Sequence, residues 1–153
     1  MKLCRMLVSV AGLTVGLANP SMAREITVTT QMAKFAGPRA YVVVYVTDPN
    51  GAVYDTLSVA GRKSKYYGHL RGWVRGAKAS QTPISAVTGA SVGSGKTLRT
   101  TVEIADALLA QGYQVRVDAS VEDRGDYPKA AVLTLGAPAK TKGRGVVHSV
   151  SVD

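Results

Sequence analysis

A run of β-branched and aromatic residues, AYVVVYVT at residues 40–47, most narrowly limits the folds open to this chain. Valine, tyrosine and threonine favour the pleated backbone of a strand, and a run without regular polar interruptions is typical of a strand in the centre of a sandwich. The turn-forming residues Asp48 to Gly51 follow, and a second strand-like run begins at Val53. Four turn residues between two such runs predict a β-hairpin.

Further strand-like runs follow the same rules along the rest of the chain. Residues 25–32 alternate apolar and polar side chains, which predicts a strand with one buried face. Short strands are also predicted at residues 53–59, 98–104, 113–121, 129–135 and 146–152. Seven short strands favour an all-β fold, an immunoglobulin-like β-sandwich. One short helix or helical turn is predicted at residues 105–110, where good helix formers precede Gly112.

The N-terminus has the three parts of a secretory signal peptide. Two basic residues precede an apolar run at residues 6–17, and the small residues Ser21 and Ala23 then form a cleavage-site pattern. The apolar run is shorter than the roughly 20 residues that a membrane-spanning helix needs. The pattern predicts a signal peptide at residues 1–23, export to the periplasm, and one domain at residues 24–153.

Composition narrows the chemistry of the predicted exported domain. The chain's one cysteine, Cys4, lies in the predicted signal peptide, so residues 24–153 have no disulfide, thiolate or iron–sulfur chemistry. Two distant histidines, His69 and His148, are too few for an ordinary zinc or copper site, and no metal site is predicted. The serine and histidine spacing provides no nucleophile with a base. Whether the protein is an enzyme stays open, and a redox carrier or a binding protein is favoured.

The charge of the predicted mature chain favours anionic partners. Without the two basic residues of the signal peptide, the count of 19 basic residues falls to 17 against 10 acidic residues, a net charge of about +7. Such a charge attracts anions. For an exported protein, the expected anions are phosphorylated cofactors, lipid headgroups or acidic proteins rather than nucleic acid.

Two phosphate-related interpretations fit the stretch SAVTGASVGSGKT at residues 85–97. Residues 90–97 match a loose phosphate-loop pattern, which requires a full helix after the loop and further βαβ units. Neither is predicted here, and free ATP is scarce outside the cytoplasm, so a nucleoside triphosphatase is disfavoured.

The second interpretation concerns TGAS at residues 88–91, where small residues surround hydroxyl groups. On an exposed, flexible segment, such a hydroxyl suits modification by another enzyme.

TGAS is similar to the motif at which FMN-binding domains of sodium-pumping and related membrane redox complexes receive covalent FMN from a flavin transferase. Carried over by position, Thr88, Gly89, Ala90 and Ser91 match the motif, and Ser91 corresponds to the hydroxyl that accepts FMN. The chain departs from the motif at Ser85, where an acidic residue is usual, and in having serine where threonine is commoner.

Longer blocks of the chain resemble a family of uncharacterised predicted periplasmic domains. The resemblance extends from about Thr27 to Leu135, and the blocks that carry it are AYVVVYVTDPNGAVYDTLSV, YYGHLRGWVRG, AVTGAS and GYQVRVDASVEDRGDY, in this order. It implies a flavin transferase and a PepSY-type membrane reductase as partners, and a part in iron-uptake-linked reduction.

The basic and aromatic stretch RKSKYYGHLRGWVRGAK, residues 62–78, is the second candidate surface, and we expect it to form a long loop leading toward TGAS. One hypothesis is that Trp73 and Tyr67 stack on a flavin attached at Ser91 while Arg71 holds its phosphate. The alternative is that Trp73 and one tyrosine cap the core and the charges are solvated. A haem bound through His69 is a further alternative.

Two functions therefore remain open. The first is an exported electron-transfer protein with covalent FMN. The second is a cofactor-free binding or accessory domain that uses residues 62–78 for an anionic ligand or a membrane-associated partner.

Overall fold

The computed structural model describes residues 22–83 and 87–153, and these residues form a β-sandwich with a helical layer on one outer face. The predicted signal peptide lies almost entirely outside the described residues, as does Ser85. The strands are β1 Ala23–Met32, β2 Tyr41–Thr47, β3 Val53–Ala60, β4 Val87–Gly89, β5 Thr97–Ala105, β6 Gln114–Val121, β7 Gly125–Thr134, β8 Ala139–Lys142 and β9 Val147–Val152. The helices are a 3₁₀ helix at Ser64–His69 and α1 at Arg71–Ala79, which together form the helical layer, and α2 at Asp106–Ala110.

The strands form two sheets, which confirms the prediction of an all-β sandwich. One sheet has the order β5-β1-β9-β8, and the other has the order β4-β3-β2-β6-β7. All pairs are antiparallel except β3 with β4. The seven predicted strands and the helix at α2 are present; their ends differ from the prediction by at most two residues, except that β7 begins four residues earlier. The two additional strands, β4 and β8, have three and four residues, too few for an alternating pattern to be recognised.

Strand β2 is buried on both faces, which accounts for its uninterrupted apolar sequence. Val42, Val44 and Val46 point into the core between the two sheets. Val43 and Tyr45 point to the opposite face and pack under the helical layer. Since successive side chains of a strand alternate between faces, only a strand covered on both sides needs apolar residues at every position.

The stretch at residues 62–78 is largely helical, so the prediction of a long loop is wrong. Helix α1 turns Trp73 and Ala77 toward the sheet, and Leu70 before it is buried with them. The sequence is misleading because Gly72 and Gly76 each cost about 1 kcal/mol relative to alanine inside a helix. In the structure, the two glycines allow α1 to lie close to the five-stranded sheet. A Cβ at Gly72 would lie 2.6 Å from Asp118 Oδ2, and one at Gly76 would lie 2.6 Å from Val53 Cγ2.

The fully buried carboxylate of Asp118 joins the helical layer to the sheet. Its Oδ2 accepts a hydrogen bond from the backbone N–H of Trp73 at 2.7 Å, in the first turn of α1. Its Oδ1 accepts bonds from the Tyr45 hydroxyl and from the backbone N–H of Lys129, both at 2.9 Å. The pairing register of β6 with β7 shifts between Val117 and Ala119, so Asp118 has no backbone partner on β7. Its side chain accepts the hydrogen bond from the Lys129 N–H instead.

Alanine substitutions at the two close glycines should destabilise the protein although alanine favours helices. We expect Gly72→Ala and Gly76→Ala each to lower the free energy of unfolding by about 1 to 3 kcal/mol, because the added methyl group must displace packed atoms. Gly68→Ala is the matched control, since a Cβ there meets nothing within 4 Å. Urea denaturation measures the difference. Equal stability of Gly76→Ala and Gly68→Ala would contradict the close packing of α1.

Alkaline pH should weaken the fold through Tyr45. Burial first, and the neighbouring Asp118 second, raise the pKa of Tyr45 well above its ordinary value of 10.0. Above pH 10 an unfolded tyrosine ionises while the folded Tyr45 stays neutral, so its contribution to stability is complete below pH 10 and falls by about 1.4 kcal/mol per pH unit above it. Tyr45→Phe should remove this part of the slope between pH 10 and 12, measured by urea denaturation. Tyr54→Phe, at an exposed ring, should keep the wild-type slope.

Candidate functional site

A cleft of about 1010 Å³ lies beside the beginning of α1. The helical layer forms one wall, the chain leading into β2 forms a second, and the turn between β6 and β7 forms a third. Ser91 lies on the same surface. The side chains that line the cleft come from Pro38, Arg39, Tyr41, Lys63, Tyr66, His69, Arg71, Ser91, Ser120, Val121, Glu122, Asp123, Arg124 and Asp126.

An acidic residue on β7, Asp126, organises the part of the cleft next to α1. Its Oδ2 lies 2.6 Å from Arg71 Nε, and its Oδ1 lies 3.4 Å from His69 Nδ1. The Ser120 hydroxyl also donates a hydrogen bond to Oδ1 at 2.8 Å. Asp126 is largely buried while Arg71 and His69 are exposed, so the carboxylate anchors two flexible side chains at the cleft's edge.

The TGAS segment is held at the edge of the five-stranded sheet, which corrects the expectation of a flexible loop. Thr88 and Gly89 belong to β4 and pair in parallel with β3. Beyond Ser91, Val92 exchanges two backbone hydrogen bonds with Ala40, at 2.7 and 2.8 Å. The outer edge of β3 offers unpaired backbone groups, and the segment satisfies them. Thr88 and Gly89 are nevertheless exposed, as is Ala90 after them, and Ser91 is half-buried against the cleft.

The pairing of Ala40 with Val92 also brings Arg39 to Ser91. The guanidinium Nη1 of Arg39 donates a hydrogen bond to the backbone carbonyl of Ser91 at 3.3 Å. These two residues are 52 positions apart, and no local pattern in the sequence connects them. Sequence reasoning therefore missed Arg39 as a residue of the site.

The phosphate-loop interpretation does not fit the structure. A phosphate loop needs a helix N-terminus immediately after it, where unpaired N–H groups face the anion. Thr97 instead begins strand β5. The N–H of Gly95 donates to the Ala33 carbonyl at 2.9 Å, so this backbone donor is already used.

Trp73 belongs to the core beneath the helical layer. Its side chain is fully buried, and its indole N–H donates a hydrogen bond to the Thr56 hydroxyl at 2.8 Å. No ring face is left for a cofactor, so a stacking role for Trp73 conflicts with this placement. Tyr67 is half-buried edge-on to Trp73 and donates from its hydroxyl to the Gly61 carbonyl at 2.8 Å. Burial, followed by the neighbouring Tyr41, raises the pKa of Tyr67.

The rings that line the cleft are Tyr66 and Tyr41. They meet edge to face, with their centroids 5.7 Å apart. Sequence reasoning noticed Tyr66 only as part of the basic aromatic stretch, and it assigned Tyr41 to the buried run of β2. Tyr41 is the first residue of that strand and is only half-buried. The sequence of the strand alone does not indicate this difference in burial.

Metal binding and membrane insertion are the two other functions on which the described residues bear. Among residues 22–83 and 87–153, no group of three or more His, Cys, Asp or Glu side chains is placed to hold a metal ion. No helix in this same part of the chain has the length and apolar character required to cross a membrane.

Comparison with known protein families shows where this chain belongs. The model of a family described as "Predicted periplasmic protein (DUF2271)" matches residues 23–149. The matched range includes the helical layer, the TGAS segment and all walls of the cleft. No curated protein and no solved structure matches the chain.

The position of Trp73 can be checked by fluorescence, because it is the chain's one tryptophan. We expect a blue-shifted emission maximum and little quenching by iodide, since the indole has no contact with water. Unfolding in urea provides the control and should restore full quenching. An emission maximum and iodide quenching in the native protein that equal those of the unfolded chain would contradict the burial of Trp73.

Proposed function

Because the chain belongs to this family of predicted periplasmic proteins, we propose that it is an exported electron-transfer protein with FMN attached covalently to Ser91. The observation that carries the proposal is the position of Ser91 on the wall of the 1010 Å³ cleft. The residue selected by similarity to a modification motif thus lines a cavity of the size typical of cofactor sites.

The cleft suits the ring system of a flavin. Tyr66 and Tyr41 provide aromatic surface against which an isoalloxazine can pack. Tyr66 lies in the 3₁₀ helix next to α1, and its ring is placed by its edge-to-face contact with Tyr41, the first residue of β2. FMN supplies reversible electron acceptance when bound, and the tyrosines exclude water from part of its surface.

The basic residues of the cleft suit the phosphate. A phosphodiester on Ser91 would carry a negative charge, and the Arg39 guanidinium lies next to Ser91, with a hydrogen bond to its carbonyl at 3.3 Å. Arg71, held by Asp126, lines the same cleft. Guanidinium groups form strong, oriented hydrogen bonds to phosphate oxygens, so these two arginines are proposed to orient the attached group.

The segment is also accessible to a modifying enzyme. Thr88, Gly89 and Ala90 are exposed and small, so a flavin transferase can contact the backbone up to the acceptor. In the proposed transfer the Ser91 oxygen would attack the FMN phosphorus of FAD, the phosphoanhydride bond would break, AMP would leave with the electron pair of that bond, and the serine proton would go to solvent. The chain would then carry one FMN less one water. A flavin transferase and a PepSY-type membrane reductase are the partners we propose, and iron-uptake-linked reduction is the process.

Intact-mass measurement tests the attachment. The exported chain, coexpressed with a flavin transferase, should gain the mass of one FMN less one water. Ser91→Ala should abolish the gain, because it removes the accepting oxygen. Ser94→Ala is the matched control, since Ser94 is an exposed serine three positions further along the same segment, and it should retain the gain.

The transferase needs its own positive control, an FMN-binding domain that it modifies in the same cells. If that domain is modified and this chain is not, the proposal is wrong. A gain that persists in Ser91→Ala would also contradict it, because the acceptor would then be another residue.

A further inference from the structure

The outward face of the helical layer is strongly and uniformly basic. Between Asp55 and Glu103 the sequence has no acidic residue. The six basic side chains of residues 62–78, which we call the cationic layer, are all exposed: Arg62, Lys63, Lys65, Arg71, Arg75 and Lys78. The layer therefore concentrates about a third of the chain's basic residues at exposed positions of one stretch of 17 residues.

The fold fixes the direction of these charges. Trp73 and Ala77 hold the inner face of α1 against the sheet, so the opposite face cannot turn away from solvent. Arg71, Arg75 and Lys78 are separated by four and three positions, which places them along one side of the helix. The basic stripe is thus a consequence of how α1 packs.

The charges of the layer are mostly uncompensated. Of its six basic residues, only Arg71 forms an ion pair with an acidic residue in the part of the chain that the structure describes. Like charges that lie together repel each other, and the folded chain gains no stability from them. A surface of this kind raises the association rate with an oppositely charged partner.

We infer that the cationic layer is a docking surface for a protein partner with an acidic face. The layer is too long for a single small anion, because Arg71 and Lys78 are separated by about 10 Å along the helix. Lys63 and Arg71 also line the cleft, so the cationic layer borders the cleft on the wall formed by the helical layer, opposite in charge to the turn with Glu122 and Asp123. The inference does not require FMN, since it rests on the charge and packing of the chain itself.

A protein partner fits better than a membrane surface. Durable attachment to a membrane combines basic charge with apolar side chains that enter the lipid. The large apolar side chains exposed in the described part of the chain are Met22, Tyr54 and Val132, and none of them belongs to the layer. The layer therefore has the charge for an electrostatic contact without an apolar anchor.

Charge reversal in two matched variants tests the inference on the unmodified, signal-free chain. The layer variant carries Lys65→Glu, Arg75→Glu and Lys78→Glu. The control variant carries Arg99→Glu, Lys140→Glu and Lys142→Glu, which are exposed residues of the other sheet and change the net charge by the same amount. The probes are fluorescent poly-L-glutamate, as an acidic polypeptide, and vesicles of phosphatidylglycerol with phosphatidylcholine.

We expect the layer variant to lose about tenfold or more in affinity for poly-L-glutamate and the control variant about threefold or less. Equal losses in the two variants would overturn the inference, because binding would then follow net charge alone. Layer-dependent binding to the vesicles without binding to poly-L-glutamate would also overturn it, in favour of a membrane surface. Thermal unfolding shows that each variant folds, and glutamine in place of glutamate at the same three positions is used if the layer variant does not.

Discussion

The buried carboxylate of Asp118 is the contact on which the rest of the structure depends. Its three donors belong to β2, α1 and β7, so one side chain joins two strands of a sheet to a helix lying across it. A buried N–H or O–H without an acceptor costs about 1 to 3 kcal/mol. Removal of Asp118 would leave two such groups, the Tyr45 hydroxyl and the Trp73 N–H, and would also take the acceptor from the part-buried N–H of Lys129. The absence of a side chain at Gly72 lets the carboxylate reach the helix. Asp118 and Gly72 are therefore both required for α1 to pack on the sheet.

The docking of α1 determines both candidate surfaces. The inner side of the layer is closed by Trp73, and its outer side has to be polar, which leaves the basic residues in solvent. Its N-terminal edge contributes Tyr66 and Arg71 to the cleft opposite Ser91. One wall of the cleft is present because the helical layer covers one outer face of the sandwich. The proposed cofactor site and the proposed docking surface therefore both depend on the packing of α1 against the sheet.

The sandwich could be predicted from sequence because its long strands have local signals, such as the β2 run and the hairpin turn at Asp48 to Gly51. The helical layer could not, because Gly72 and Gly76 weaken a helix in isolation and are useful only against Asp118 and Val53. Local similarity to a motif was enough to select Ser91. The long-range pairing of Ala40 with Val92 brings Ser91 to the wall of the cleft, and such pairing has no signature in either segment.

The central claim is that a flavin attached at Ser91 lies in the cleft instead of hanging from the edge of the sheet. Time-resolved fluorescence anisotropy of the flavin in the protein coexpressed with a flavin transferase tests this most directly. If the claim holds, the anisotropy decays mainly at the rate of overall tumbling, because the walls of the cleft hold the ring system. A flavin that rotates freely on the nanosecond scale or faster would contradict it, as would a purified protein without flavin.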